Sequence, residues 1–242
     1  MRIVRDFPVD LNLEQVLRGQ GADPAKVNMR PVIREFYTEA IAEAARLIAP
    51  AIIYELCPVR EIRHNCIILD GGRVLHSHLV ADVLSRSKEA VLAVCTIGSQ
   101  LEEKVSAYFA ERQPAKAVVL DAVGIEAVNQ VTAEATRLVE AEAAHKGLKA
   151  SIPVSPGMSH QCSLEQQQVI FDIVPAGQIG VTLTTSSVML PLKSTSMIYG
   201  LGKDVPTKET GSQCDYCSLK GTCRHRKQLY PSDRNAGAQS SV

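Results

Sequence analysis

Three cysteines near the carboxyl end of the chain have the spacing of a compact metal site. They occur as Cys214-x2-Cys217-x5-Cys223. Thiolates bind zinc and iron, and a tetrahedral zinc ion and a four-iron cluster both normally take a fourth protein ligand. The sequence offers three candidates for that ligand: Cys162, His225 and His160. From spacing alone, a structural zinc site and an iron–sulfur cluster both remain open.

The other cysteines and a pair of histidines give weaker evidence of a metal site. Cys57, Cys66 and Cys95 lie in apolar runs, where a free cysteine usually serves as a small buried hydrophobe. His76 and His78 alternate on a predicted strand, which would place both on one face. No carboxylate or cysteine stands beside them at ligand spacing. We therefore expect two surface or half-buried histidines.

Composition narrows the class of protein. The formal net charge is zero, which removes the bulk attraction that most nucleic-acid binders use. No apolar run approaches the roughly 20 residues of a membrane span, and the first residues lack a secretory signal. Seven cysteines then indicate buried thiols and a metal site in a reducing cytoplasm rather than disulfides. Motifs of hydrolases, zinc proteases and nucleotide-binding folds are missing.

The hydrophobic pattern predicts an α+β domain with helices packed on a mixed or antiparallel sheet. Helices are expected over about 10–47, 99–112 and 115–146 and from 163 onward, and strands over 51–79, 91–98 and 179–191. Gly147 should cap the long helix, Ser163 should begin the last one, and Asp70-Gly71-Gly72 should form a turn. We predict a main domain over 1–202, a linker and cysteine-rich metal-binding segment over 203–230, and a disordered tail over 231–242.

A series of short motifs fills residues 155–200. They are Pro156-Gly157, Leu183-Thr184, Ser186, Met189, Pro191, Ser194 and Ser196. In order and spacing they resemble the activation domain of cobalamin-dependent methionine synthase, which has a Pro-Gly-aromatic loop, a helix, Leu-Thr-x-Ser, Met-x-Pro and Ser-x-Ser. Upstream, CTIGSQLEEKV and LDAVGIEAVNQ are similar to free-standing members found beside corrinoid methyltransferases. The resemblance covers about residues 10–202.

The resemblance implies a surface that caps cobalamin while inactive Co(II) is reduced and remethylated. The residues it implies at that surface are Pro156, Gly157, Met158, His160, Thr184, Ser186, Lys193, Ser194, Ser196 and Tyr199. His160 would be an axial ligand of cobalt or an ordinary loop histidine, and Lys193 would contact a propionamide or phosphate or simply be solvated. Cys162, on the cofactor-facing loop, would bring the cysteine cluster over the same site.

Two departures from the family concern S-adenosylmethionine, which the methionine synthase domain binds. Pro153 stands where the family has an arginine, and Met158 stands where it has an aromatic residue. An arginine suits a carboxylate because its planar fork bonds two oxygens, whereas proline offers no donor. The acidic residue that the family usually has on the preceding helix also aligns near Asn129. These departures argue against adenosylmethionine binding.

The leading hypothesis is a reactivation factor that docks over a corrinoid and passes an electron to Co(II) through an iron–sulfur cluster, which the cysteine ligation suggests is of the 4Fe–4S type. Its partners would be a corrinoid-binding protein or corrinoid-dependent methyltransferase and a ferredoxin-like electron donor. Arg224, Arg226 and Lys227 would make the cluster potential less negative, dock that donor or form a solvated charge run. One alternative is a non-redox corrinoid-capping module with structural zinc. Another is an adenosylmethionine-dependent reactivation subunit.

Overall fold

An antiparallel sheet forms the centre of the protein. The structure is a computed structural model that describes residues 1–217 and 219–222. Its strands are β1 (Arg2–Val4), β2 (Ala51–Arg63), β3 (Cys66–Leu69), β4 (Val74–His76), β5 (Glu89–Thr96), β6 (Lys149–Ala150), β7 (Thr182–Leu183), β8 (Met189–Leu190) and β9 (Ser194–Gly202). The sheet order is β4-β3-β2-β5-β9-β6, with β1 also paired to β2, while β7 and β8 form a separate hairpin.

Six α-helices surround the sheet in the described part of the chain. They are α1 (Leu13–Gly19), α2 (Pro31–Leu47), α3 (His78–Val83), α4 (Gln100–Ala110), α5 (Pro114–His145) and α6 (Gln166–Ile173). Helix α5 starts at a proline, whose missing N–H costs nothing at that position. It ends just before Gly147, which takes a positive φ of 66°.

Alternation along the central strands divides their side chains between two cores. Cys95 and Tyr199 face the layer formed by α1, α2, α4 and α5. Leu92 and Ile198 face the opposite side, which is covered by α3, α6 and loops. Because side chains alternate in a strand, a single pair of central strands anchors both layers. Full burial of a Leu or Ile stabilises the fold by about 1.5–3 kcal/mol relative to exposure.

The structure confirms the α+β class, the long α5 helix with its Gly147 cap, and the turn at Asp70-Gly71-Gly72. The sheet pairings are all antiparallel among the described residues. Cys57, Cys66 and Cys95 are buried, as expected of structural thiols. In the same part of the chain, none of the helices combines the length and apolar character needed to cross a bilayer.

Three local predictions were wrong. Ser163 does not cap α6, which begins at Gln166 after a turn in which the Gln166 N–H donates to the Ser163 carbonyl. The expected strand over 179–191 is only the short β7–β8 hairpin, because a turn at Ser187 with φ of 61° interrupts it. His76 ends β4 whereas His78 begins α3, so the two do not alternate on one strand.

Candidate functional site

The Pro156–Gly157 loop is a tight turn closed by its own backbone. The Gly157 N–H donates to the Cys162 carbonyl at 2.9 Å, and Ser159 and Cys162 form an isolated antiparallel bridge. Gly157 has a φ of 85°, and a Cβ there would lie 2.9 Å from Leu164, so both conformation and space favour glycine. The turn leaves Met158 54% exposed.

Contacts from α3 and β4 hold this loop against the second core. The Ser77 hydroxyl donates to the Gln161 carbonyl at 2.7 Å, and the Gln166 side-chain carbonyl accepts the His76 N–H at 2.7 Å. Cys162 is fully buried there, and burial raises the pKa of its thiol although a hydrogen bond with Ser77 lowers it. The loop therefore has a fixed base below the exposed Met158 and His160.

The β7–β8 hairpin carries the hydroxyl-rich motif. Thr184 Oγ1 accepts the Val188 N–H at 3.0 Å and lies 3.2 Å from Ser186 Oγ. The side-chain amide of Gln168, on α6, donates to Ser187 Oγ at 3.1 Å. These bonds attach the hairpin to the helix that follows the Pro156–Gly157 loop.

Polar contacts also fix the segment that enters β9. Lys193 Nζ donates to Asp121 Oδ1 of α5 at 2.6 Å, and the Leu192 N–H donates to the Glu102 carboxylate at 2.7 Å. Ser194 Oγ donates to Thr96 Oγ1 at 2.9 Å. Lys193 is therefore engaged in an ion pair within the protein, while the Leu192 side chain is left 61% exposed.

Five exposed apolar side chains belong to these three segments and the turn before α6. We call them the exposed apolar set, and they are Met158, Leu164, Val188, Leu190 and Leu192. Single exposed apolar residues are ordinary on protein surfaces, whereas a concentration of them on structurally fixed loops is typical of contact surfaces. Their supports, by contrast, are polar contacts with α4, α5 and α6.

Two predicted surface residues lie in the interior instead. Tyr199 is fully buried under the α5 layer, where its hydroxyl lies 2.9 Å from Thr136 Oγ1. Ser196 is 2% exposed on the other face, and its hydroxyl has no hydrogen-bond partner in the described structure. Their placement as cofactor-contacting residues is corrected, because the sheet and the layers on either side cover both. Pro156 is buried as well and shapes the loop.

The cysteine-rich segment folds back onto the same loop. It forms a 3-10 turn, Gln213–Tyr216, whose start is fixed by a capping box between Ser212 and Asp215. The Leu219 N–H donates to Cys217 Sγ at 3.4 Å, a contact that favours a metal-bound thiolate. Tyr216 packs on the second core, and the Ser159 hydroxyl donates to its carbonyl at 3.3 Å.

The described part of the cysteine site is incomplete. Cys214 and Cys217 are half-buried, and Cys223 lies outside the described residues, as do His225, the basic run after it and the predicted tail over 231–242. Among the residues that are described, no three His, Cys, Asp or Glu side chains form a metal-binding group. Cys162 therefore does not join Cys214 and Cys217 in such a group, and its role as fourth ligand stays a prediction.

Comparison with known proteins was informative only at the level of structure. The sequence matches no family model and no curated protein. Among solved structures, it is similar to the crystal structure of the MetH reactivation domain bound to AdoHcy, with a TM-score of 0.57 and 18% sequence identity. The match covers 86% of this chain and 80% of that one. The protein has the reactivation-domain fold.

Within this reactivation-domain fold, a cavity of about 510 Å³ opens beside the loop and contains a histidine pair that the sequence did not suggest. The rings of His64 and His78 meet edge to face with centroids 4.9 Å apart. His78 Nδ1 lies 3.2 Å from the His64 carbonyl oxygen, which can only accept, so Nδ1 carries the proton. Asp82 and Gln161 also line the cavity. His64 lies 14 residues before His78, so no local spacing could reveal the pair.

Proposed function

We propose that this protein reactivates a corrinoid protein by docking over its cofactor. The observation that carries the proposal is the fold shared with the MetH reactivation domain over 86% of the chain. The sequence resemblance over residues 155–200 points the same way, and its motifs form the exposed loop, the hairpin and the entry to β9. A fold alone does not determine function, so the proposal also depends on the surface that these motifs form.

The exposed apolar set supplies a contact surface suited to a large, largely apolar macrocycle and the protein around it. Hydroxyls of Thr184 and Ser186 lie in the hairpin that carries Val188 and Leu190, and they can bond amide side groups. His160 is exposed on the adjoining loop, where a neutral imidazole could approach cobalt. Lys193 contributes through its ion pair with Asp121, which fixes the segment carrying Leu192.

The cysteine-rich segment would hold an iron–sulfur cluster, with Cys214, Cys217 and Cys223 as thiolate ligands. The two described cysteines fit this role, since both are accessible and Cys217 receives a backbone N–H bond. Such a cluster would supply one electron at low potential, converting Co(II) to Co(I), and would regain it from a ferredoxin-like donor. This chemistry needs a reducing cytoplasm and a corrinoid-binding protein or methyltransferase as partner.

S-adenosylmethionine is not part of the leading proposal. The structural neighbour was crystallised with AdoHcy, but Pro153 here has no donor for a ligand carboxylate. Pro153 also lines a space that Tyr216 closes, which leaves a cavity of only about 10 Å³ there. An adenosylmethionine-dependent subunit is therefore the weaker candidate. Titration calorimetry with adenosylmethionine tests it, and we expect no binding.

Anaerobic purification followed by iron, zinc and acid-labile sulfide analysis tests the redox role. We expect iron and sulfide in the wild-type protein and their loss in Cys217→Ala. Cys57→Ala is the matched control, because Cys57 is a buried thiol in β2 and should leave the metal content unchanged. Stoichiometric zinc without sulfide would contradict electron transfer and favour a non-redox capping module.

A further inference from the structure

Tyr216 stands between two predicted metal ligands, Cys214 and Cys217, yet its side chain belongs to the second core. It packs over the Pro156–Gly157 loop together with Leu79, Ile152, Pro153, Val154, Ser155, Met158 and Ser159. The cavity that remains between them is about 10 Å³, enough for one water molecule at most. The Tyr216 side chain is therefore in position to restrict the loop on which it packs.

Two hydrogen bonds fix the backbone at and around Tyr216. Its carbonyl accepts the Ser159 hydroxyl at 3.3 Å. The Cys217 N–H donates to the Cys214 carbonyl at 3.3 Å, which closes the backbone turn around Tyr216. Whatever restricts the motion of Cys214 and Cys217 therefore also restricts the position of the Tyr216 ring.

We infer that Tyr216 is a positioning residue that transmits metal binding at Cys214 and Cys217 to the Pro156–Gly157 loop. Metal coordination removes conformational freedom from the turn 214–217 and holds the ring in its place on the loop. Loss of the metal frees the turn, and the loop carrying Met158 and His160 loses the contact that covers it. The inference rests on the metal site of the proposed function, but it does not require that metal to be redox-active.

Hydrogen–deuterium exchange of the full chain tests the coupling on peptides that cover residues 152–162. The protein is loaded with Zn²⁺, which binds the same thiolates as iron, and is compared with the chelator-treated form. Metal content is measured for each variant. We expect loop amides to exchange about tenfold more slowly with metal in the wild type and in Tyr216→Phe, which keeps the ring. Tyr216→Ala should bind the same metal while losing most of that difference.

Lys220→Ala is the matched control, because Lys220 belongs to the same segment and is exposed. It should retain both metal and loop protection. Equal metal-dependent protection in Tyr216→Ala and the wild type would overturn the inference, as would a wild-type loop whose exchange ignores the metal or a chain that binds no Zn²⁺. If anaerobically purified protein contains no iron or sulfide and the zinc-loaded form still shows the effect, the redox proposal alone is contradicted and the coupling is supported.

Discussion

The two faces of the central sheet are built in different ways. On the α5 side, the core is continuous and apolar, and the buried Tyr199 hydroxyl finds a partner in Thr136. On the other side, short helices and loops cover the sheet, and the buried Ser196 hydroxyl and Gln167 side-chain carbonyl have no partner in the described structure. Buried polar groups that all have hydrogen-bond partners favour stability, whereas each buried polar group without a partner costs free energy.

The exposed loop, the β7–β8 hairpin and Tyr216 all lie over the less satisfied face or at its margin. Short elements joined by loops open locally at lower free energy than a packed 32-residue helix such as α5. The comparison therefore assigns the fold's rigidity to the helical layer and places most of the proposed contact surface on the opposite one. Substitutions on the two faces should change the free energy of unfolding by different amounts and, for one pair of variants, in opposite directions.

The largest effect is expected for Leu120→Ala on α5. Leu120 is fully buried in the first core, and removing its side chain leaves a cavity under the helical layer. The free energy of unfolding should fall by about 2–5 kcal/mol, as measured by urea denaturation. Met158→Ala, at an exposed position, is the control and should change stability little. A smaller loss of unfolding free energy in Leu120→Ala than in Met158→Ala would contradict the stabilising role assigned to the helical layer.

Gly202→Ala examines a close contact on the opposite face. A Cβ at Gly202 would collide with the Arg86 carbonyl oxygen, which is backbone and cannot easily move aside. We expect a loss of roughly 1–3 kcal/mol in the free energy of unfolding. Gly177→Ala is the matched control, since a Cβ there meets no atom within 4 Å. If thermal denaturation shows equal effects, the close approach of β9 to residues 84–87 is not as described.

Tyr199→Phe and Ser196→Ala test the difference in polar satisfaction directly. Tyr199→Phe removes the bond to Thr136 and should cost about 1 kcal/mol in unfolding free energy. Ser196→Ala removes a buried hydroxyl that has no partner, so it should be neutral or stabilising by up to about 1 kcal/mol. Chemical denaturation of both variants gives the two signs. A clear loss of stability in Ser196→Ala would reveal a partner for that hydroxyl.

The smallest effect concerns Glu126 on α5, where burial raises the pKa of the carboxyl. The charged form is disfavoured in the folded protein, so wild-type stability falls as pH rises from about 4.3 through the raised pKa. Glu126→Gln should stabilise the protein at pH 7 by about a few tenths of a kcal/mol, since solvent screening limits a half-buried group. In thermal melts this advantage should vanish near pH 4.

Glu134 provides the opposite control on the same helix. A hydrogen bond from Arg137 lowers the pKa of its carboxyl, so its contribution is present above the unfolded pKa and is lost as pH falls through the folded one. Glu134→Gln should therefore destabilise slightly at pH 7. If both variants shift the melting temperature in the same direction, the assigned environments of these carboxyls are wrong.

The local features of the helical layer could be predicted from sequence. Helix α5 begins at Pro114 and is followed by Gly147, so the sequence itself contains the residues that start and stop it. The opposite face depends on distant contacts. Residues 182–190 have strand composition, but the turn at Ser187 and its bond to Gln168 divide them. Strand alternation assigns side chains to two faces but does not tell whether each face is buried. Both faces of β9 are covered, so the prediction that Ser196 and Tyr199 lie at the surface was wrong.

The proposed site shows the same limit. The motifs around Pro156 and Thr184 marked the two segments of the proposed site, because each is a local pattern, but they did not predict the β7–β8 hairpin. The contact of Tyr216 with Ser159 joins residues 57 positions apart, and sequence spacing contains no sign of it. The histidine pair beside Asp82 escaped notice for the same reason, since the pairing of β3 with β4 brings its two segments together.

Electron transfer to a corrinoid tests the central claim most directly. The protein is reduced anaerobically, freed of excess reductant and mixed with an equal amount of cob(II)alamin, while electron paramagnetic resonance follows the Co(II) signal. We predict that the signal decays as each reduced wild-type molecule gives one electron to form Co(I), and that it persists with Cys217→Ala. A Co(II) signal that persists with the wild type, or decays equally with both proteins, would contradict the account.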